Sequence, residues 1–369
     1  MPRTANVPLP SHRHFLVLDA LRGVAAISVA LYHACAIFGA TQLLPKAFLA
    51  VDFFFLLSGI VVAHAYEERL KKGEIVKYLE RRAIRLYPMI LFGACIGMSV
   101  LLTSPAARHM PGMSVIVLGL SAMLCIPIVR ANLYPGSHSI APINVPSWSL
   151  FFELFANALY GLVAKRLTNR LLLVIVLGSL LAEGFGIAKF NGANIGDYTE
   201  SFKWGFARVL FPFFLGVLIN RAIVPREHAP SRTTPALLAM ILVATLCVPS
   251  WGSWTGISEL VAIAIIYPAI IMAAMNATVT SQQGGVLTWI GAVSYPLYAI
   301  HSPLFLWLAR LQRQTALRFP VSPYWWAAGA VTMAVLAAWA VYKVYDVPIR
   351  ETLTTMRRRH RALRSIGET

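Results

Sequence analysis

Eleven long apolar stretches dominate this 369-residue chain, at roughly 15–38, 47–65, 86–104, 113–130, 148–164, 171–188, 205–220, 236–250, 258–275, 288–309 and 324–345. A helix needs about 20 apolar residues to cross the hydrocarbon core of a bilayer. A helix also satisfies its own backbone polar groups where no water can. The stretches therefore predict an all-α fold, a polytopic transmembrane helical bundle. Composition agrees, with 58% of residues hydrophobic and 13% charged, against about 45–50% and about 25% in soluble domains. So few charges cannot cover a water-soluble globule of this size, which excludes a cytosolic enzyme, a disordered chain and a disulfide scaffold.

Lys and Arg decide how many stretches cross. If all eleven span, basic residues divide almost evenly between the two sides, against the positive-inside rule. If 113–130 does not cross, the inner segments hold two near the N-terminus, seven in 66–85, three in 165–170, three in 221–234 and six in the tail, against eight outside. The sequence thus predicts about ten spanning helices plus one non-crossing apolar segment, with both termini cytoplasmic. Residues 1–349 form the transmembrane domain and 350–369 a basic cytoplasmic tail, in which Met356-Arg357-Arg358-Arg359-His360-Arg361 suits anionic membrane lipid. Met1 to His14 is polar and basic, with no cleavable signal peptide evident.

The formal charge of +17 would suggest nucleic acid in a soluble protein. Here it sits in loops between apolar runs, so no nucleic-acid partner is expected. Cys35, Cys95, Cys125 and Cys247 lie in apolar stretches without paired spacing, so neither a disulfide framework nor a metal site is expected.

Ionisable groups inside spans are costly and are functional candidates. Arg22 and His33 lie eleven residues apart in the first span. They share one helix face about 16 Å apart along the axis. Counting inward from the outer surface puts Asp52, Glu153 and His301 within one or two turns of the depth of His33. Two imidazoles and two carboxylates at one level suit general-base chemistry in a dry site. A purely structural polar network would use the same residue types. On the inner side Arg82 and Arg85, at i and i+3, suit a phosphate clamp if helical, although a positive-inside loop needs no ligand. Glu183 and Glu259, near span ends, are expected at the interface.

Together these segments resemble the acyltransferase-3 family of integral membrane acyltransferases. The matching elements are Leu18-Asp19-Ala20-Leu21-Arg22-Gly23 with His33 ten intervening residues on, Asp52-Phe53-Phe54 with Ser58-Gly59, and Arg82-x-x-Arg85 before Pro88. Further along come Trp148-Ser149-Leu150-x-x-Glu153, Ser294-Tyr295-x-x-Tyr298-x-x-His301 and a closing Asp346-Val347-Pro348, where the family usually has Glu. The matches run in family order over nearly the whole chain. Some members carry a further C-terminal hydrolase-like domain, and none is expected here.

The resemblance implies transfer of an acyl group, often acetyl, from cytoplasmic acyl-CoA to a hydroxyl of an extracytoplasmic glycan, glycolipid or related small molecule. No permanently bound cofactor is implied, and the expected location is the bacterial inner membrane. It makes His33 the central catalytic residue, with Arg22, Arg82 and Arg85 serving the CoA side and Asp19 beside Arg22. Asp52 or Glu153 is expected to orient the His33 imidazole, with His301 in the same group. On the outer side Trp148, Arg208 and Tyr298 are candidates for the acceptor. Trp148, Tyr134, His138 and Trp251 could stack on sugar rings, although tryptophan and tyrosine are also the usual interface anchors, and Arg208 could meet an anionic acceptor or pair with an acid. A secondary transporter is the rival reading of buried acids, histidines and arginines, but no inverted repeat is visible.

Overall fold

The computed structural model describes residues 15–129, 133–134, 136–223, 231, 233–315 and 321–367, with side chains described to residue 359. The basic segment 1–14 and the side chains of His360, Arg361 and Arg364 lie outside this description. The helices are α1 (Leu16–Phe38), α2 (Ala50–Lys71), α3 (Ile75–Leu102), α4 (Gly112–Leu124), α5 (Ser147–Val163), α6 (Asn169–Phe190) and α7 (Phe202–Ala222). They continue as α8 (Thr233–Cys247), α9 (Thr255–Val261), α10 (Tyr267–Asn276), α11 (Ser281–Thr315), α12 (Pro323–Val341) and α13 (Val347–Gly367). No strand forms among the described residues; Ser139 and Tyr198 make one isolated bridge. Among the described residues, seven helical segments are long and apolar enough to cross a membrane: α1, α2, α3, α6, α7, the α9–α10 run and the α12–α13 run.

The non-crossing stretch corresponds to α4, which at 13 residues is about 20 Å long, short of the roughly 30 Å hydrocarbon core. It stops at Cys125, a non-glycine residue in the left-handed conformation with φ 53°. The Cys125 thiol meets the Ser147 carbonyl at 3.7 Å. α5 therefore begins well inside the bundle, not at its surface. The segment leading into α5 is tied there by Asn144, whose side-chain amide donates to the Ala299 carbonyl at 2.8 Å. Pro303, four residues further along α11, has no N–H for that carbonyl, and Asn144 supplies the missing donor.

Two parallel helix pairs form the frame. α1 runs alongside α11, with Gly23 against Ile290 and Gly291 against Asp19. α2 runs alongside α7, where a Cβ on Gly216 would lie 2.3 Å from the Leu56 carbonyl oxygen and one on Gly59 2.0 Å from that of Phe213. Small residues let helix backbones touch where lipid gives no hydrophobic drive to associate. Gly216→Val is expected to destabilise the protein by about 1–3 kcal/mol through overpacking, read as a lower Tm in detergent. Gly178→Val, facing open space, is expected to leave Tm nearly unchanged.

α12 passes through a π-helical turn at Tyr342–Asp346 into α13, which packs on α3.

Candidate active site

Parallel packing of α1 on α11 brings two imidazoles together. His33 Nδ1 lies 2.8 Å from His301 Nε2, and the rings stack with centroids 5.1 Å apart. His301 is fully buried, while His33 is partly accessible. The tautomers follow from the partners. His301 Nδ1 lies 2.9 Å from the Leu297 carbonyl, which can only accept, so that nitrogen carries a hydrogen. In the neutral ring His301 Nε2 is then an acceptor, and His33 Nδ1 donates to it. This leaves the lone pair of His33 on Nε2, the atom a general base would use.

The two carboxylates are elsewhere, so the expected four-residue cluster does not form. Asp52 and Arg208, both 0% exposed, make a doubly bonded ion pair, with Nε–Oδ1 and Nη2–Oδ2 distances of 2.9 Å each. Arg208 also donates to the Ile195 and Phe48 carbonyls and stacks on Trp148 at 5.1 Å. Of the two readings of Arg208, pairing with an acid is the one observed. Trp148 is buried beside it, not presented to an acceptor.

Glu153 accepts from Arg82 Nη2 and from the Ser58 hydroxyl, each at 2.8 Å. Its depth departs from expectation because α5 starts inside the bundle. Ser149 shares a 2.6 Å hydrogen bond with the Tyr298 hydroxyl. Glu153 lies one turn below that level and His301 about one turn above it, a separation of roughly 10 Å along the axis. A carboxylate orienting the imidazole is thus replaced by a second imidazole.

Below the histidine pair, cavities run toward the basic end of the bundle. A cavity of about 90 Å³ is bordered by Ser58, Arg82, Arg85, Glu153, Ser149 and Tyr298. A wider one of about 400 Å³ is bordered by Asp19, Arg22, Tyr295, Asp346 and Arg350, and the two meet at Arg22, Arg85 and Tyr295. The upper end closes at Tyr298, whose ring centroid lies 6.0 Å from that of His301.

The three arginines differ in their engagement. Arg22 pairs with Asp19 at 2.9 Å and donates to the Ser294 hydroxyl and the Gly291 carbonyl. Arg82, buried, is committed to Glu153. Arg85 borders both cavities and has no hydrogen-bond or ion-pair partner among the described residues. The i, i+3 pair is therefore not a simple fork: one arginine holds the wall and the other faces the space. Ser58, Ser149 and Ser294 complete the polar lining. All three stand in the motifs that carry the family resemblance, which assigns them no role.

Two other expectations change. Glu259, expected at the interface, is buried, accepting from the Ala193 N–H at 2.6 Å and facing Lys46 Nζ at 3.5 Å. Glu183 is fully buried, and neither carboxylate oxygen has a hydrogen-bond partner among the described residues. The 39–49 and 191–201 loops supply Lys46 and Ala193 to Glu259, and Ile195 of the second loop packs beside Gly186, one turn from Glu183. His138 pairs with Glu200 at the surface, and Trp251 is exposed. In the 191–201 loop, burial pushes the Asp197 carboxyl up to about 6, against the pull of Arg208.

Comparison with known proteins places this site in a family. A family model described as an acyltransferase domain matches residues 15–343. Protein 2 in the picA locus of Rhizobium radiobacter is 32% identical over 189 residues, 48% of this chain and 96% of that protein. The acyltransferase MdmB of Streptomyces mycarofaciens is 28% identical over 270 residues, 69% of this chain and 67% of its own. The O-acetyltransferase OatA of Staphylococcus aureus is 35% identical over 91 residues, 23% of this chain and 14% of its own. No solved structure matches. With the family model covering nearly the whole chain, the protein belongs to the acyltransferase-3 family of membrane acyltransferases.

Proposed function

We propose that this membrane acyltransferase moves an acyl group, acetyl in the first instance, from cytoplasmic acyl-CoA to a hydroxyl of an extracytoplasmic glycan, glycolipid or related small molecule. The observation that carries the reading is the run of arginine-bordered cavities ending one turn beneath a base whose free nitrogen is fixed by its partner. Such a run suits a donor with an anionic head and a long, thin, uncharged pantetheine arm. The head would stay at the basic end and the thioester would reach Tyr298. The name of OatA supports acetyl, and that of MdmB a broader acyl class. Ten spans, both termini in the cytoplasm and an inner-membrane location fit the distribution of Lys and Arg. Nothing found favours a transporter.

In this mechanism His33 Nε2 takes the proton of the acceptor hydroxyl as its oxygen attacks the thioester carbonyl. The C–S bond breaks, and the imidazolium returns the proton to the departing CoA thiolate. His301, a positioning residue, holds His33 in the tautomer that leaves Nε2 unprotonated. Glu153, with Arg82 and Ser58, shapes the wall along which the arm passes.

The test compares ester-linked groups on surface glycans and secreted glycolipids by mass spectrometry with the gene present, deleted and restored as His33→Ala. Loss of one acyl mass on deletion, unrestored by the variant, is expected. Full ester content in the deletion strain would sink the reading.

A further inference from the structure

Beyond the two inner cavities, the basic end carries a third space of about 860 Å³ between α3 and α13, within the usual size of small-molecule sites, about 300–1,000 Å³. Five arginines border it, Arg81, Arg85, Arg350, Arg357 and Arg358, with Glu351 as the carboxylate among its lining. Helical spacing explains how they converge. Arg81 and Arg85 stand one turn apart on α3, while Arg350, Thr354, Arg357 and Arg358 follow one face of α13. Arg350 is paired with Asp346 at 2.6 Å. Arg81, Arg85, Arg357 and Arg358 have no ion-pair partner among the described residues. Guanidiniums crowded this way repel one another unless an anion of high charge lies between them.

Arg85 also borders both inner cavities, so the trough adjoins, at that arginine, the cavities that end at Tyr298. We propose that the α3–α13 trough is the subsite for the phosphates of the donor, a 3′-phosphorylated adenosine diphosphate. Arg81, Arg357 and Arg358 hold the diphosphate and 3′-phosphate, and Arg85 guides the arm inward. The inference rests on the acyl-CoA reading above and adds to it the residues that select the nucleotide end. A phospholipid headgroup offers similar chemistry, but has no use for inner cavities that adjoin the trough at Arg85. The tail is then part of the donor site, not only a grip on lipid.

The test titrates the full-length protein, in nanodiscs of phosphatidylcholine alone or with phosphatidylglycerol, with coenzyme A, 3′-dephospho-coenzyme A and pantetheine. The wild type is expected to bind coenzyme A most tightly and to lose about tenfold without the 3′-phosphate, one charge-assisted contact. The triple variant Arg81→Gln, Arg357→Gln, Arg358→Gln is expected to lose about a hundredfold for coenzyme A and to treat it like pantetheine. The corresponding lysine variant recovers part of the affinity, which separates lost charge from lost folding. Unchanged coenzyme A affinity in the glutamine variant would overturn the subsite while leaving the donor reading intact. A wild type that does not bind coenzyme A removes both. Displacement of coenzyme A by phosphatidylglycerol, with the substitutions altering only that lipid dependence, would assign the trough to headgroups and overturn the proposal.

Discussion

His301→Ala is expected to lower kcat by about 10²–10⁴-fold, the range over which a positioned base contributes, with the KM for the acyl donor unchanged. The alanine removes the acceptor for His33 Nδ1–H, so His33 no longer prefers the tautomer with a free Nε2. His301→Gln is expected to recover part of the loss, because an amide oxygen can accept the same hydrogen bond. His33→Ala is expected to lose transfer altogether, with donor binding retained. Proteoliposomes loaded with labelled acetyl-CoA and given an external acceptor separate these cases through kcat, KM and the pH profile. A His301→Ala enzyme with full kcat would show that the second imidazole is packing. Loss confined to Glu153→Gln, with normal KM, would return the orienting role to a carboxylate.

The second large effect is on stability. Asp52→Ala leaves the Arg208 guanidinium buried with no counter-charge, and breaking one side of a buried pair costs about 3–5 kcal/mol. Against net stabilities of only about 5–15 kcal/mol this is a large share, seen as a reduced yield and a markedly lower Tm by size-exclusion fluorescence. The double replacement Asp52→Leu, Arg208→Met removes both charges together and is expected to recover much of the loss. A catalytic Asp52 predicts the reverse pattern: a stable single variant without activity, and no recovery in the double.

Glu153 lies deeper than its place in the sequence implies because of α4 and α5. Counting inward takes the start of the 148–164 stretch as the outer surface. In the fold a short helix stops at Cys125 and Asn144 caps the carbonyl freed by Pro303. Both draw the start of α5 inward and lower Glu153 to the level of Arg82 and Ser58. Asp52 was at the right depth, but its helix turns it toward Arg208 on α7 and away from His33. Glu183 and Glu259 failed for a related reason. Nearness to the end of an apolar run does not expose a side chain when a loop from elsewhere in the chain folds over it.

What the sequence determined by itself is the class of fold, the ordered family motifs and the face shared by Arg22 and His33. Apolar length and helical period act locally, and each helix expresses them whatever its neighbours are. Which ionisable groups meet was decided only by the tertiary structure. Helix partners, rotations and entry depths come from glycine contacts such as Gly23 with Ile290 and Gly216 with Leu56, between residues far apart in the chain. Those contacts join His33 to His301, give Asp52 to Arg208 and leave Arg85 facing open space.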